Sequence, residues 1–576
     1  MKPPKGSTRR AGFICGLFLL WLAVVGVRAG YWQIYRGEWL QDQAESQVKE
    51  TLTIRGKRGT IYDARHQAMA VSIETLSVAA YPGRIKDKAK AASRLAKAMG
   101  MNRRTIRRKL TSGRHFVWLQ RKAMPKVVNA VRALEMPGVD FIPEHKRFYP
   151  NTTLAAQVLG FTGIDDHGLE GVEFFYDREL KGGEQTVTIL KDALGRGFEA
   201  DRLATPQQVG NNLVLTLDRH IQYIAEQALA EAVKKYKARS GMALVMDPQT
   251  GALLAVAHIP VFNPNTYRKY NRSVWRNRAI TDPFEPGSTM KIFSVAAALE
   301  TGKLGPSTIF YCENGTYTIG GHAVHDTSSH GWLSVQQIVK YSSNIGAVKL
   351  VERIGGHSLF DGLKAFGFGQ RTHIDSPGES PGALSNYKRW TSVDTGAIAF
   401  GQGVSVTALQ LITAVSAMAN DGLMMKPYIV QAVTDPNGRL LRNIEPQAVR
   451  QAVTVETART VRRIMRTVIS PGGTGMEAAL DGYDVCGKTG TAQKIDKDGR
   501  YAPHKYVASF VGFAPAQQPA LAVLVVVDEP KGIYYGGIVA APVFKKIIKE
   551  SLGYLNIQPG SSMQKLRVSR EIKVNG

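Results

Sequence analysis

One unbroken apolar run, Ala11 to Val27 (AGFICGLFLLWLAVVGV), constrains this chain more than any other feature. In lipid, a single segment of this kind satisfies its backbone polar groups only as a helix. At a rise of ~1.5 Å per residue it spans about 26 Å, slightly short of a hydrocarbon core of ~30 Å. Arg28 can snorkel, and Tyr31, Trp32 and Tyr35 suit the interface, which closes the gap. Lys2, Lys5, Arg9 and Arg10 precede the run with no acid among them. That flank predicts a cytoplasmic tail over residues 1–10, an anchor over residues 11–30, and export of everything beyond. The competing reading is a cleaved signal peptide, with Val27-Arg28-Ala29 as a loose cleavage site. The run exceeds a signal core of about 7–15 residues, which favours the retained anchor.

The charge is unevenly placed. The 576 residues carry 74 Lys plus Arg against 47 Asp plus Glu, a net +27. Residues 61–150 hold 19 basic and 6 acidic residues, whereas residues 151–576 hold 45 and 37. Arg103, Arg104, Arg107, Arg108 and Lys109 are the densest cluster. Such a segment suggests an anionic partner: nucleic acid, a membrane surface or an acidic substrate. Export weakens nucleic acid and leaves anionic headgroups, a lipid-linked precursor or an acidic protein. The bland alternative is a solvated basic face. With 44% apolar and 21% charged residues, the chain is no disordered polyelectrolyte. Three cysteines exclude a disulfide scaffold and a zinc-finger array.

The length suggests three or four domains at ~150 residues each. Residues 31–50 read as a juxtamembrane stalk. Residues 51–205 mix short helices and strands, with helical patterns at 86–99 and 122–134. From residue 211 the texture changes. Met242–Met246 and Ala252–Ala257 flank Asp247-Pro248-Gln249-Thr250-Gly251, which predicts an antiparallel hairpin. Val507–Phe513 and Leu521–Val527 read as buried strands, and Ala541–Leu552 as a closing amphipathic helix. Strands, then helices, then strands predict an α+β domain over residues 211–555, with a loose tail at 556–576.

Glu285-Pro286-Gly287-Ser288-Thr289-Met290-Lys291 is followed by an apolar helical run. Pro and Gly mark a helix start, and the i, i+3 spacing puts Ser288 and Lys291 on one face. A serine hydroxyl needs a base, and a lysine serves once burial or nearby positive charge depresses its pKa. The Ser-x-x-Lys spacing recurs at Ser46, Ser385 and Ser562, so alone it means little. Only Ser288 has the breaker before it and the apolar helix after it. Ser342-Ser343-Asn344 and Lys488-Thr489-Gly490-Thr491 follow in order. The three together form the signature of penicillin-binding proteins and class A β-lactamases.

A decoy overlaps the third motif. Gly482 to Thr489 fits the phosphate-binding pattern G-x-x-x-x-G-K-[ST]. A phosphate loop must follow a strand and open a helix. No strand-length run precedes Gly482, and the segment after Thr489 ends in a polar turn at Asp496–Gly499. The nucleotide reading therefore fails on context.

With these motifs in place, the chain resembles a class B penicillin-binding protein, most closely the division-specific, FtsI type of peptidoglycan D,D-transpeptidase. Arg58-Gly59-Thr60-Ile61-Tyr62-Asp63, Arg147-Phe148-Tyr149-Pro150 and Gly168-Leu169-Glu170-Gly171 match that family's pedestal elements. Thr216-Leu217-Asp218, Gly401-Gln402-Gly403 and Gly536-Gly537 match its catalytic domain. The resemblance implies a serine β-lactamase-like transpeptidase fold with an antiparallel sheet flanked by helices, after an elongated α/β pedestal over residues 31–205. It implies that Ser288 attacks the bond between terminal D-alanines while Lys291 takes its proton. Ser342 would relay a proton to the leaving amine, and Asn344 would hold Lys291 or the substrate amide. Lys488 would supply positive potential. Thr489 and Thr491 would bind the substrate carboxylate, and Gly490 would let an extended substrate approach the strand. Backbone N–H groups of Ser288 and Thr491 would form the oxyanion hole. The implied partners are peptidoglycan stem peptides, lipid II-derived glycan strands, β-lactams, a SEDS-type (FtsW-like) glycosyltransferase and other division proteins. No cofactor, metal or nucleic acid is expected. Alternatives are the same activity in cell elongation, a β-lactam hydrolase or sensor, and an inactive division scaffold.

Two minor features compete for attention. Cys312, His322, His325 and His330 resemble a loose zinc set, although a polar loop is the simpler reading. Outside the cytoplasm, a Cys312–Cys486 disulfide is also open.

Overall fold

The computed structural model describes residues 5–39, 49–191, 197–198, 209–496 and 498–559. Residues 40–48 of the expected stalk and 560–576 of the expected tail lie outside the described residues. So does the join at 199–208.

The chain forms two compact units. The first comprises Met1–Lys57, Ile73–Lys146 and Gly182–Gln208. Its helix α1 (Lys5–Gly30) continues into a short π-helical turn, and Arg10–Tyr35 is long and apolar enough to cross a membrane. A separate core is built from residues 73–80 of β1 (Ala68–Ala80), β2 (Val117–Ala123) and β3 (Val139–Phe148). Helices α2 (Lys88–Met99), α3 (Arg103–Leu110) and α4 (Pro125–Arg132) pack with them. Val78, Leu95, Ile106, Leu110, Leu119 and Val131 are buried there. Asp87 caps α2 by accepting from the Ala89 and Lys90 amides, and Gly100 closes it in the left-handed region. The helix expected from residue 122 starts later. Pro125 fits the first turn of a helix but holds the preceding Met124 extended, so Lys122 ends up in β2.

The second unit comprises Arg58–Ser72, Arg147–Lys181 and Val209–Gly576. Two segments that precede residue 205 therefore belong with the later chain. The Leu213 amide donating to the Thr60 carbonyl (2.9 Å) and the Ala155 amide donating to Glu226 Oε1 (2.8 Å) join these segments to the later chain, and a buried ion network ties the two to each other. Arg58 donates to Glu173 (2.7 Å) and Asp177 (2.5 Å), and Arg147 donates to Glu173 (2.6 Å) and the Gly59 carbonyl (2.6 Å). Burial alone would raise the Glu173 pKa, yet Arg147 and Arg58 hold it below the usual carboxylate value. Glu173→Gln leaves two buried guanidinium groups without a full counter-charge. The expected loss is about 3–5 kcal/mol of stability in this unit. Urea unfolding followed by tryptophan fluorescence checks it, and an unshifted midpoint would refute it.

The unit's centre is a five-stranded antiparallel sheet. Its strands are β4 (Ser240–Met246), β5 (Leu253–Ile259), β6 (Cys486–Ile495), β7 (Tyr501–Ala514) and β8 (Leu521–Asp528), in the order β5-β4-β8-β7-β6. The helices used below are α5 (Arg219–Lys235), α6 (Lys291–Glu300), α7 (Val335–Tyr341), α8 (Asn344–Ile354), α9 (Ala408–Ala419), α10 (Val455–Ile469) and α11 (Ala541–Tyr554). Side chains alternate between two cores because successive strand residues face opposite sides. Val523, Val525 and Val527 join α5 and α11, while Ala522, Leu524 and Val526 join α6, α9 and α10. Every residue of α9 is buried, which explains its apolar composition on all sides. The expected hairpin is present, closed by the Asp247 amide donating to the Ala252 carbonyl (2.9 Å).

Candidate active site

Three segments meet at one end of β6. The first is a 3₁₀ turn, Gly287–Met290, that runs straight into α6. It carries Ser288, half-buried, whose hydroxyl has no side-chain hydrogen bond among the described residues. Thr289 secures the turn by donating to the Pro286 carbonyl (2.8 Å). Lys291 opens α6 and is fully buried.

The second segment joins α7 to α8. Ser342 sits between them in the left-handed region, at φ 61°, an uncommon conformation for a residue with a side chain. This kink aims Ser342 Oγ between two lysines. It lies 3.3 Å from Lys291 Nζ and 2.9 Å from Lys488 Nζ, and accepts from both. Lys291 also donates to the Ser342 carbonyl and to Asn344 Oδ1 (2.7 Å). Asn344 Nδ2 donates to the His325 carbonyl (2.9 Å), which fixes the amide's orientation.

The third segment is β6 itself, one of the two edge strands of the sheet among the described strands. Lys488 is fully buried on it, and its ammonium also reaches the Thr489 carbonyl (3.1 Å). Thr489 Oγ1 donates to Thr474 Oγ1 (3.1 Å), and Thr491 Oγ1 accepts from the Gly536 amide (3.1 Å). At Gly490 a Cβ would stand 2.3 Å from Ser509 Oγ and 2.9 Å from Thr289 Cγ2. The bare backbone is needed inside the protein for the serine turn to approach the strand. Gly401 plays a similar part, since a Cβ there would lie 2.1 Å from the Gly287 carbonyl oxygen.

Burial sets the electrostatics. Desolvation lowers the Lys291 pKa to about 7, against a small opposing pull from the Asp326 carboxylate. Lys488 is lowered too, first by burial and then by the charge of Lys291. Two neighbouring buried ammonium groups disfavour each other, so the pair readily gives up a proton.

Ser288, Ser342, Asn344, Thr489 and Thr491 line one cavity of about 910 Å³. Lys291 and Lys488 stand behind its wall. The eight residues singled out by the sequence thus converge on one place.

Sequence reasoning missed Asp326. Its carboxylate accepts from Ser343 Oγ (2.5 Å) and from the Asn344 (2.5 Å) and Ile345 (3.0 Å) amides, at the N-terminus of α8. It thereby holds the turn that presents Ser342 and Asn344. Nothing local marks an acid in a polar loop as special. Glu285 was also missed. It accepts from the Gly403 amide (2.8 Å) and from Tyr501 Oη (3.2 Å), tying the serine turn to β7.

The competing motifs resolve differently. Lys488-Thr489 lies inside a strand and opens no helix, so the phosphate-loop pattern has no phosphate-loop geometry. His322 and His325 lie on a hairpin strand at the cavity, and His330 stacks on Tyr341 at 5.1 Å. No group of three His, Cys, Asp or Glu suited to a metal occurs among the described residues. The disulfide left open by the sequence does not form, for Cys312 and Cys486 are free buried thiols. Cys312 lies beside Ser343, whereas Cys486 Sγ is 3.3 Å from the Arg462 carbonyl oxygen.

Comparison with known proteins agrees with this geometry. Residues 241–549 match the penicillin binding protein transpeptidase domain, and residues 53–215 match the penicillin-binding protein dimerisation domain. The chain is 36% identical to the probable peptidoglycan D,D-transpeptidase PenA of Neisseria meningitidis, over 97% of this chain and 95% of that protein. It is 33% identical to the peptidoglycan D,D-transpeptidase FtsI of Escherichia coli, over 96% and 95%. Its fold matches the crystal structure of penicillin binding protein 3 from Mycobacterium tuberculosis complexed with aztreonam. That match has a TM-score of 0.69 at 28% identity, over 88% of this chain and 98% of that one. The N-terminal apolar helix fits a single-pass inner-membrane protein. The chain belongs to the class B penicillin-binding proteins, with a dimerisation domain ahead of a serine transpeptidase domain.

Proposed function

We propose that the protein is the D,D-transpeptidase that cross-links peptidoglycan during septum formation, working through an acyl-enzyme on Ser288. The observation that carries this reading is the paired buried lysines sharing Ser342 Oγ at the wall of the Ser288 cavity. Neutral Lys291 accepts the Ser288 proton as Oγ attacks the carbonyl between two terminal D-alanines of a stem peptide. The C–N bond breaks, and the departing D-alanine amine receives a proton through Ser342. The amine of a second stem then attacks the acyl carbonyl, loses a proton to the same relay and frees Ser288. Backbone N–H groups of Ser288 and Thr491 stabilise the oxyanion, a contribution of ~3–4 kcal/mol per donor. Asn344 keeps Lys291 in place, and Lys488 with Thr489 and Thr491 receives the substrate carboxylate. The open edge of β6 takes an extended peptide as an added strand.

Penicillin enters the same chemistry. Ring opening leaves the expelled nitrogen tethered to the acyl group, which blocks the second attack. Septal rather than lateral synthesis follows the similarity to FtsI. The reading places the N-terminus in the cytoplasm and the catalytic unit outside it. On this reading a SEDS-type polymerase and other division proteins are its partners.

Intact-mass measurement after penicillin treatment tests this reading, with peptide mapping of the adduct. A long-lived adduct on Ser288 is the expected result. Rapid penicillin turnover indicates a hydrolase, and no adduct on folded protein sinks the assignment. The acylation rate carries a pH signature. Lys291 acts unprotonated and has a pKa of about 7, so the rate rises with pH through about 7 and levels off above it. A flat profile from pH 5.5 to 8.5 would exclude Lys291 as the base.

A further inference from the structure

The basic cluster of the first unit has no part in this chemistry. Residues 73–146 hold seventeen Lys and Arg against five Asp and Glu. The densest part is helix α3, whose sequence is RRTIRRKL. Ile106 and Leu110 are buried in the unit's core, which turns Arg103, Arg104, Arg107 and Arg108 to solvent. Arg114 follows, also exposed. None of these five guanidinium groups has an ion-pair partner among the described residues.

This arrangement works against the helix that carries it. Arg103 and Arg104 occupy the first turn, where the macrodipole disfavours cations, and no acid stands there. Arg103 with Arg107, and Arg104 with Arg108, are like charges at i, i+4. Arg108 also helps to lower the pKa of Lys109, after burial. An uncompensated cationic face of this kind is better satisfied by an external anion than by anything within the unit.

Its surroundings narrow the partner. Lys109 turns inward and donates to the Trp118 (2.8 Å) and Leu119 (2.9 Å) carbonyls, which joins α3 to an aromatic group on and beside β2. Tyr81, Phe116 and Trp118 pack edge to face at 5.6 and 5.0 Å, all half-exposed. Arg84 lies over Tyr81 at 5.1 Å, and Arg121, whose charge is already met by Glu144 (2.5 Å), over Trp118 at 5.3 Å. Forked guanidinium groups beside half-exposed aromatic rings suit the headgroup region of a bilayer. The same chain carries a helix fit to cross a membrane, which keeps this unit at high local concentration near lipid.

We infer that the arginine face of α3 docks on the anionic phospholipid headgroups of the membrane that anchors the chain. The inference rests on the membrane-anchored reading above and concerns a surface separate from the Ser288 site. The test reconstitutes the full chain in nanodiscs of phosphatidylcholine alone or with phosphatidylglycerol. Hydrogen exchange is then followed in peptides covering residues 103–121. Exchange is expected to slow on the order of fivefold or more in the anionic discs. That protection is lost at about 0.5 M salt, where screening shortens the field to a few ångströms. It is also lost in Arg104→Gln/Arg108→Gln, with penicillin labelling of Ser288 unchanged. Equal exchange in both lipids would overturn the proposal, because the wild-type comparison needs no variant. Protection that appears only on adding an acidic protein would overturn it in favour of a protein partner. Loss of penicillin labelling in wild-type discs would instead count against the catalytic reading.

Discussion

Ser288→Ala protein forms no penicillin adduct, while its thermal unfolding matches wild type. Removing the nucleophile of a serine acyl-transfer site abolishes its covalent step, and the expected fall in acylation rate is on the order of 10⁵-fold or more. The fold should not notice. Ser288 is half-buried and its hydroxyl makes no side-chain hydrogen bond among the described residues, so alanine creates no orphaned partner. Ser385→Ala is the matched control. Ser385 has the same Ser-x-x-Lys spacing, but its hydroxyl accepts from Trp390 Nε1 (2.8 Å) and does not line the Ser288 cavity. Labelling with fluorescent penicillin separates the two. Equal labelling of Ser288→Ala and wild type would mean that another nucleophile reacts.

Lys291→Met separates catalysis from stability in the opposite sense to Glu173→Gln. The acylation rate falls by about 10²–10⁴-fold, the usual worth of a positioned base. Thermal stability holds or rises. Methionine fills similar space, removes a fully buried ammonium and relieves the repulsion on Lys488. The cost is an unpaired Asn344 Oδ1 and Ser342 carbonyl, both at the edge of a cavity that water can enter. Rates from quenched labelling with melting curves on the same sample check both halves. A large drop in melting temperature would show that Lys291 is a structural tie and not a base held under strain.

Much of this site was legible in the sequence because its parts are short and local. Pro286-Gly287 before an apolar run announced the turn and helix of Ser288 and Lys291. The apolar strands of the sheet were visible for the same reason, since both faces of β8 are buried. The helical pattern from Lys122 yields to β2 because Pro125 holds Met124 extended. Asp326 and Glu285 were not legible, because each acts on backbone amides far away in the chain. Their role depends on which amides packing brings near, and no local pattern encodes that.

The sequence by itself determined a helix long and apolar enough to cross a membrane, the lopsided charge, and the identity and order of the three motifs. Each follows from composition or spacing within a few residues. Only the tertiary structure decided that Lys291 meets Ser342 across 51 residues, and that Lys488 meets Ser342 across 146. Two lysines in water would both keep their protons at neutral pH. Buried together behind one cavity, they lose the solvation that stabilises the charge, and both pKa values fall.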